Sequence, residues 1–151
     1  MIKISIPRKK DVLNATCSLR TVGGKWLETC LKSMQKERGI YIFHKRMDVL
    51  YVGKTGGETM TFGIRLRRHF QKKAAQGKRI WNLLKRHEPV EVSFIPDNEI
   101  YRRIKGARIS TKRLEDEAIR LMEAALILSW QPKFQPRVGK KNKLRKEKGC
   151  T

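Results

Sequence analysis

Two runs of β-forming residues, GIYIFH at 39–44 and DVLYV at 48–52, are separated only by Lys45, Arg46 and Met47. So short a connection between two such runs reads as an antiparallel hairpin. A third run, VEVSFI at 90–95, alternates apolar and polar side chains and follows Pro89, as a strand entered from a terminated helix would. The remaining apolar residues must cover this sheet.

They are spaced to do so. A helix is predicted from about Ile64 to Ala75, with Leu66, Phe70 and Ala74 inward. A shorter one over 78–87 carries Ile80, Trp81 and Leu84. The longest should run from about Thr111 to Trp130 and stop before Pro132. Residues 25–36 also recur at helical spacing, through Trp26, Leu27, Cys30, Leu31 and Met34, with Gly23 and Gly24 as a flexible entry. Residues 2–6 read as a short strand stopped by Pro7, TGGETMTFG at 55–63 as a loop, and 97–110 as a polar connection with no assigned structure. The order describes a small α/β layer, a short sheet covered by helices. Three segments follow: an accessory layer over 1–37, a main domain over 38–135, and a flexible basic tail over 136–151.

Charge narrows the function. Thirty-six Lys and Arg stand against fourteen Asp and Glu, a formal net charge of +22. Self-repulsion of that size works against compactness, and the usual reason to carry it is a polyanion. The tail accounts for only part of it. Between Glu58 and Glu88 no acidic residue interrupts Arg65, Arg67, Arg68, Lys72, Lys73, Lys78, Arg79, Lys85 and Arg86. Arg65, His69 and Lys72 fall at i, i+4 and i+7, one stripe of the predicted helix. Solvated faces usually mix signs, and this one does not, so it reads as a phosphate-facing surface.

No apolar stretch reaches the length of a bilayer span, and no segment offers the wide apolar face of a membrane-surface helix. The opening MIKISIPRKK has no signal-peptide core. Cys17, Cys30 and Cys150 form no CxxC pair and no zinc spacing, which suits reduced thiols. A cytoplasmic, nucleic-acid-binding protein is expected.

Glu123 is the only ionisable side chain between Arg120 and Lys133. A lone carboxylate within a basic surface is what a hard divalent cation needs as its anchor, although an ordinary surface glutamate reads equally well from the sequence. Tyr41 and Tyr51, one in each hairpin arm, read as core on spacing alone.

Together these residues resemble the GIY-YIG nucleases. Gly39-Ile40-Tyr41, ten residues before Tyr51-Val52-Gly53, is similar to the two half-motifs that name that family, and Lys54 follows directly. Arg65 and His69 match its helix-borne pair. Glu123-Ala-Ala-Leu126-Ile127 followed by Pro132-Lys133-Phe134-Gln135 resembles its closing pattern, with Gln135 where the family usually has Asn. The resemblance spans residues 38 to 135. It implies a three-stranded, antiparallel-type sheet flanked by helices, and a single Mg²⁺ or Mn²⁺ on Glu123 acting on a scissile phosphate. Arg65 would neutralise developing charge, and Tyr41 would orient or deprotonate the attacking water, with His69 relaying the proton. Tyr51 and Lys54 would position nucleophile and phosphate, with Gly39, Gly53 and Gln135 in support. A free tyrosine titrates near ~10, so the base role requires help from neighbouring cations.

The implied activity is endonucleolytic cleavage of duplex or branched DNA, with no small-molecule cofactor. The scale matches the small restriction enzymes of the family, which work as dimers. A binding module without catalysis, using the basic surface alone, is the alternative.

Overall fold

The hairpin forms where its spacing places it. In the computed structural model, which describes residues 2–14, 17–19, 21–22, 25–26, 34–55, 60–69, 75–106 and 112–135, the paired arms are Gly39–Lys45 and Asp48–Lys54. In chain order the elements are β1 (Lys3–Ile4), α1 (Lys9–Val12), β2 (Cys17–Leu19), β3 (Thr21–Val22), β4 (Lys25–Trp26), β5 (Gly39–Lys45) and β6 (Asp48–Lys54). There follow α2 (Phe62–His69), α3 (Ala75–His87), β7 (Val90–Pro96), α4 (Asp97–Arg102), β8 (Ile104–Lys105) and α5 (Lys112–Trp130). The main sheet has the order β2-β7-β5-β6 and is antiparallel throughout.

β5 lies between two partners, and six of its seven residues are buried. Its unbroken apolar run follows from this, because a strand covered on both faces has no solvent side to make polar. Tyr41 and Phe43 join Phe62 and Leu66 of α2 and Leu83 and Leu84 of α3 in one core. Ile40 and Ile42 face the other way, into a core with Ile119, Met122 and Leu126 of α5. The sheet is thus sandwiched between two helical layers. A register shift between Phe43 and His44 pairs Phe43 with Tyr51 but His44 with Val49, leaving Leu50 as an extra residue in β6. Such a bulge breaks the strict alternation of faces, and Leu50 and Tyr51, although adjacent, both belong to the core of Tyr41.

Three expectations need correction. The sheet has four strands rather than three, because β2, too short to show a period, pairs with the outer edge of β7. Among the described residues of 25–36 the expected helix is not formed. Lys25–Trp26 is a strand paired with Thr21–Val22, and Met34–Lys36 is a single 3₁₀ turn. Only Gly23 and Gly24 separate the paired strands in sequence, and that composition favours a two-residue hairpin over a helix entry. α2 begins at Phe62 rather than Ile64, because the Thr61 hydroxyl accepts the Ile64 N–H (3.3 Å) and so caps it. Finally, residues 97–106, left without an assigned structure by the sequence, hold α4 and β8, the latter paired with β1. α3 begins at Ala75, ahead of the predicted 78, and ends before Pro89 as predicted. Phe70, Lys72, Lys73 and the tail over 136–151 lie outside the described residues.

One polar cluster is buried in the sheet. His44 Nδ1 lies 2.8 Å from the Arg46 carbonyl, which can only accept, so His44 Nε2 accepts the Ser93 hydroxyl proton at 2.8 Å. Burial holds the imidazole below its usual pKa, against the pull of the Arg46 carbonyl and Glu91. In the unfolded chain histidine titrates near ~6.5, so the unfolded state takes up a proton that the folded state refuses. Stability should fall as pH drops below about 6.5 and until the folded pKa is reached. Urea midpoints from pH 7.5 to 5 should show this decline in the wild type and a flatter profile in His44→Gln. Parallel profiles would place the sensitivity elsewhere.

Candidate active site

The site begins with two glycines. Gly39 opens β5 at φ +143°, and a side chain there would sit 2.2 Å from the Ile95 carbonyl of β7. Glycine alone accommodates both the angle and the approach. Thr55, which the sequence did not single out, secures that corner. Its hydroxyl accepts the Gly39 N–H (3.0 Å), and its own N–H donates to the Gly39 carbonyl (3.0 Å). Gly53 stands opposite Tyr41 in the β5–β6 register. A Cβ there would lie 2.2 Å from Tyr41 Cζ and 2.3 Å from its hydroxyl. The ring therefore lies across the space that any other residue would fill.

Tyr41 is fully buried, its ring edge-on to Phe62 (6.5 Å between centroids). Tyr51 is 6.3 Å from it and stacks on Phe43 at 6.0 Å. From α2, Arg65 Nε donates to the Tyr41 hydroxyl at 3.4 Å. Burial raises the Tyr41 pKa above the ordinary tyrosine value, with Tyr51 adding to the rise and Arg65 opposing it only in part. Of the two roles expected of it, orienting or deprotonating the attacking water, the metal-free Tyr41 is suited by its burial to the first. It can orient a water, but its own environment does not make it a proton acceptor.

Burial disfavours the Arg65 charge, yet Tyr41, Tyr51 and Glu123 outweigh it, and its pKa lies above the usual value. Glu123, reaching in from α5 in the opposite helical layer, is partly buried. Its carboxyl is pushed above the glutamate range by that burial and pulled back by Lys54 and Arg65. It makes no hydrogen bond or ion pair among the described residues. Lys54 is the last residue of β6, the edge strand. Tyr41, Lys54, Arg65 and Glu123 thus come from four elements and three layers, and meet at one end of the hairpin within electrostatic reach.

Gln135 lies apart from this cluster. Its side-chain oxygen accepts the Val52 N–H at 2.9 Å, while Lys133 and Phe134 donate their N–H groups to Val49 and Leu50 (3.2 and 3.0 Å). The segment after α5 therefore lines the open edge of β6, with the glutamine amide in place of a neighbouring strand. Asp116 of α5 pairs with Arg38, which precedes Gly39, at 2.5 Å. That contact ties the helix bearing Glu123 to the start of β5, and only the fold reveals it. His69 is the last residue of α2, Arg67 and Arg68 lie within that helix, and Lys78 and Arg79 lie within α3; their side chains are outside the described set.

Among the described residues no three His, Cys, Asp or Glu side chains group as a metal cage. A closed zinc or calcium site would need one. Mg²⁺ makes a smaller demand, binding through one or two carboxylates with water and substrate phosphate completing its shell. The unpaired Glu123 carboxylate fits that requirement. Lys54 and Arg65 beside it would repel a bare cation, so binding should be much favoured by a phosphate. No helix among the described residues is long and apolar enough to cross a membrane. Compared with protein-family models, curated proteins and solved structures, the chain has no match.

Proposed function

We propose that the protein is a divalent-metal-dependent endonuclease that hydrolyses phosphodiester bonds in DNA, of the GIY-YIG type. The observation that carries the proposal is the meeting of Tyr41, Arg65, Lys54 and Glu123 in one coupled cluster. Two cations flank a half-buried carboxylate that has no protein partner among the described residues, with a tyrosine hydroxyl between the strands. A simple binding surface has no use for such a carboxylate, which opposes a polyanion.

Glu123 would hold Mg²⁺ or Mn²⁺, which supplies Lewis-acid chemistry at the phosphate and the leaving oxygen. Arg65 is fixed by the Tyr41 hydroxyl and stays charged, so it can meet the negative charge that builds on phosphorus without reorganising. Lys54 holds a phosphate oxygen from the edge of the sheet. Tyr41 orients the attacking water as a phenol, and Tyr51, with its ring 6.3 Å away, helps to position the nucleophile. His69, one turn beyond Arg65, remains the candidate for moving the proton.

End-labelled duplex, branched and single-stranded DNA, incubated with the protein and Mg²⁺, should be cleaved, and EDTA should stop the reaction. Arg65→Ala should slow it roughly 10²–10³-fold, the scale of losing one preorganised donor, with an unchanged circular dichroism spectrum. Cleavage indifferent to EDTA would refute the metal requirement. Salt-sensitive binding with no cleavage of any substrate would favour a non-catalytic binding module.

A further inference from the structure

The far end of the hairpin carries a second concentration of positive charge that the catalytic cluster does not use. Three elements meet there. The His87 ring at the end of α3 packs on Phe134 with 4.9 Å between centroids. Next to Phe134, Lys133 donates its backbone N–H to Val49 of β6. The paired arm β5 ends at Lys45 beside the turn. Lys45, Arg86 and Lys133 are all exposed, and none makes an ion pair among the described residues. Their shared field is felt at His87, which burial holds below its usual pKa and these three cations depress further.

Basic residues at a helix C-terminus are often explained by the helix dipole. That accounts for Arg86, but not for Lys45 and Lys133, which come from a strand and from the segment after α5. The local acids do not neutralise the group. Glu91 accepts the Arg46 N–H and lies 3.7 Å from His44. Glu88 already has a partner. Asp48 stands across from Lys45 in the register without pairing with it. Phe134 is 36% exposed, an aromatic side chain among cations.

We propose that Lys45, Arg86 and Lys133 form a second DNA contact, gripping the sugar-phosphate backbone of the duplex that flanks the cleaved bond. The proposal rests on the nuclease reading and adds a footprint to it. Tyr41 and Lys45 are four residues apart on one strand, about 13 Å at the usual rise. With the strand laid along the duplex axis and base pairs stacked every ~3.4 Å, the grip falls about four base pairs to one side of the scissile phosphate. As a contact to backbone phosphates it contributes affinity and orientation rather than sequence choice.

The test is binding of a 30-base-pair duplex in EDTA across a salt series, together with phosphate-ethylation interference. In the Lys45→Gln, Arg86→Gln, Lys133→Gln triple variant, the slope of log K against log salt should lose up to about 2.7, or 0.9 per contact. Interference about four base pairs from the cleavage position should disappear. A control variant, Lys3→Gln, Lys10→Gln, Lys105→Gln, removes the same charge from other exposed lysines and should keep both. An unchanged slope in the first variant, or an equal loss in both, would overturn the second contact and leave the nuclease reading standing. Failure of the wild type to bind or cut DNA would overturn both.

Discussion

Glu123→Gln is expected to abolish DNA cleavage while leaving binding in EDTA intact or slightly tighter. The side chain keeps its shape, so α5 should keep its packing through Ile119, Met122 and Leu126. Only the charge is lost. Lewis-acid stabilisation by a bound metal is worth several kcal/mol, which at 1.36 kcal/mol per decade is a fall of about 10³-fold or more. A second readout separates this role from a structural one. Burial raises the Glu123 pKa above its unfolded value against the attraction of Lys54 and Arg65. A carboxyl shifted upward in the folded state is disfavoured in its ionised form at neutral pH, so its charge works against the metal-free fold. Glu123→Gln should therefore melt at the same temperature as the metal-free wild type or higher. A structural glutamate would lose stability and binding together, and full retention of cleavage would remove Glu123 as the metal anchor.

How much of this arrangement is legible in the sequence depends on the length over which each signal repeats. β5, β6, β7 and α5 are long enough to show periodicity or an unbroken apolar run, and they sit where that predicts. β2 has three residues and β8 two, so their pairing is decided by the free edges that other strands leave. The apolar spacing from Trp26 to Met34 is genuine, but the hairpin signal before it claimed Trp26. The bulge at Leu50 is invisible in composition, and it is what brings Leu50, next to Tyr51, onto the same face as Tyr41. Among the site residues, Arg65 and Glu123 stand out in sequence by position and isolation. Thr55 and the Arg38–Asp116 pair do not, because their partners lie 16 and 78 residues away. The burial of Tyr41 is legible in its spacing, which reads as core, and the structure agrees. That burial favours the orienting role over the proton-accepting one.

Gly53→Ala is the second substitution expected to have a large effect, and it removes no functional group. The added methyl would lie 2.2 Å from Tyr41 Cζ and 2.5 Å from Cε2, closer than any real contact allows. β6 is paired to β5 on both sides of Gly53, through Val52 and Lys54, and its outer edge is lined by the segment ending at Gln135. The backbone therefore has little freedom to retreat, and the ring must move. Its hydroxyl holds Arg65 through a single hydrogen bond of 3.4 Å, so displacing the ring releases the guanidinium as well. Overpacking of this kind destabilises by about 1–3 kcal/mol. A misplacement near 1 Å at a reacting centre costs about 10²-fold in rate, and two groups would be misplaced together. Cleavage should fall by at least about 10²-fold under conditions where circular dichroism shows the variant still folded. A double-mutant cycle with Tyr41→Phe decides the route. If the methyl acts through the Tyr41 hydroxyl, Gly53→Ala should add little to the rate loss already caused by Tyr41→Phe. If the two losses multiply in full, the glycine serves something other than the tyrosine, and a close backbone approach of the substrate at Gly53 becomes the better account.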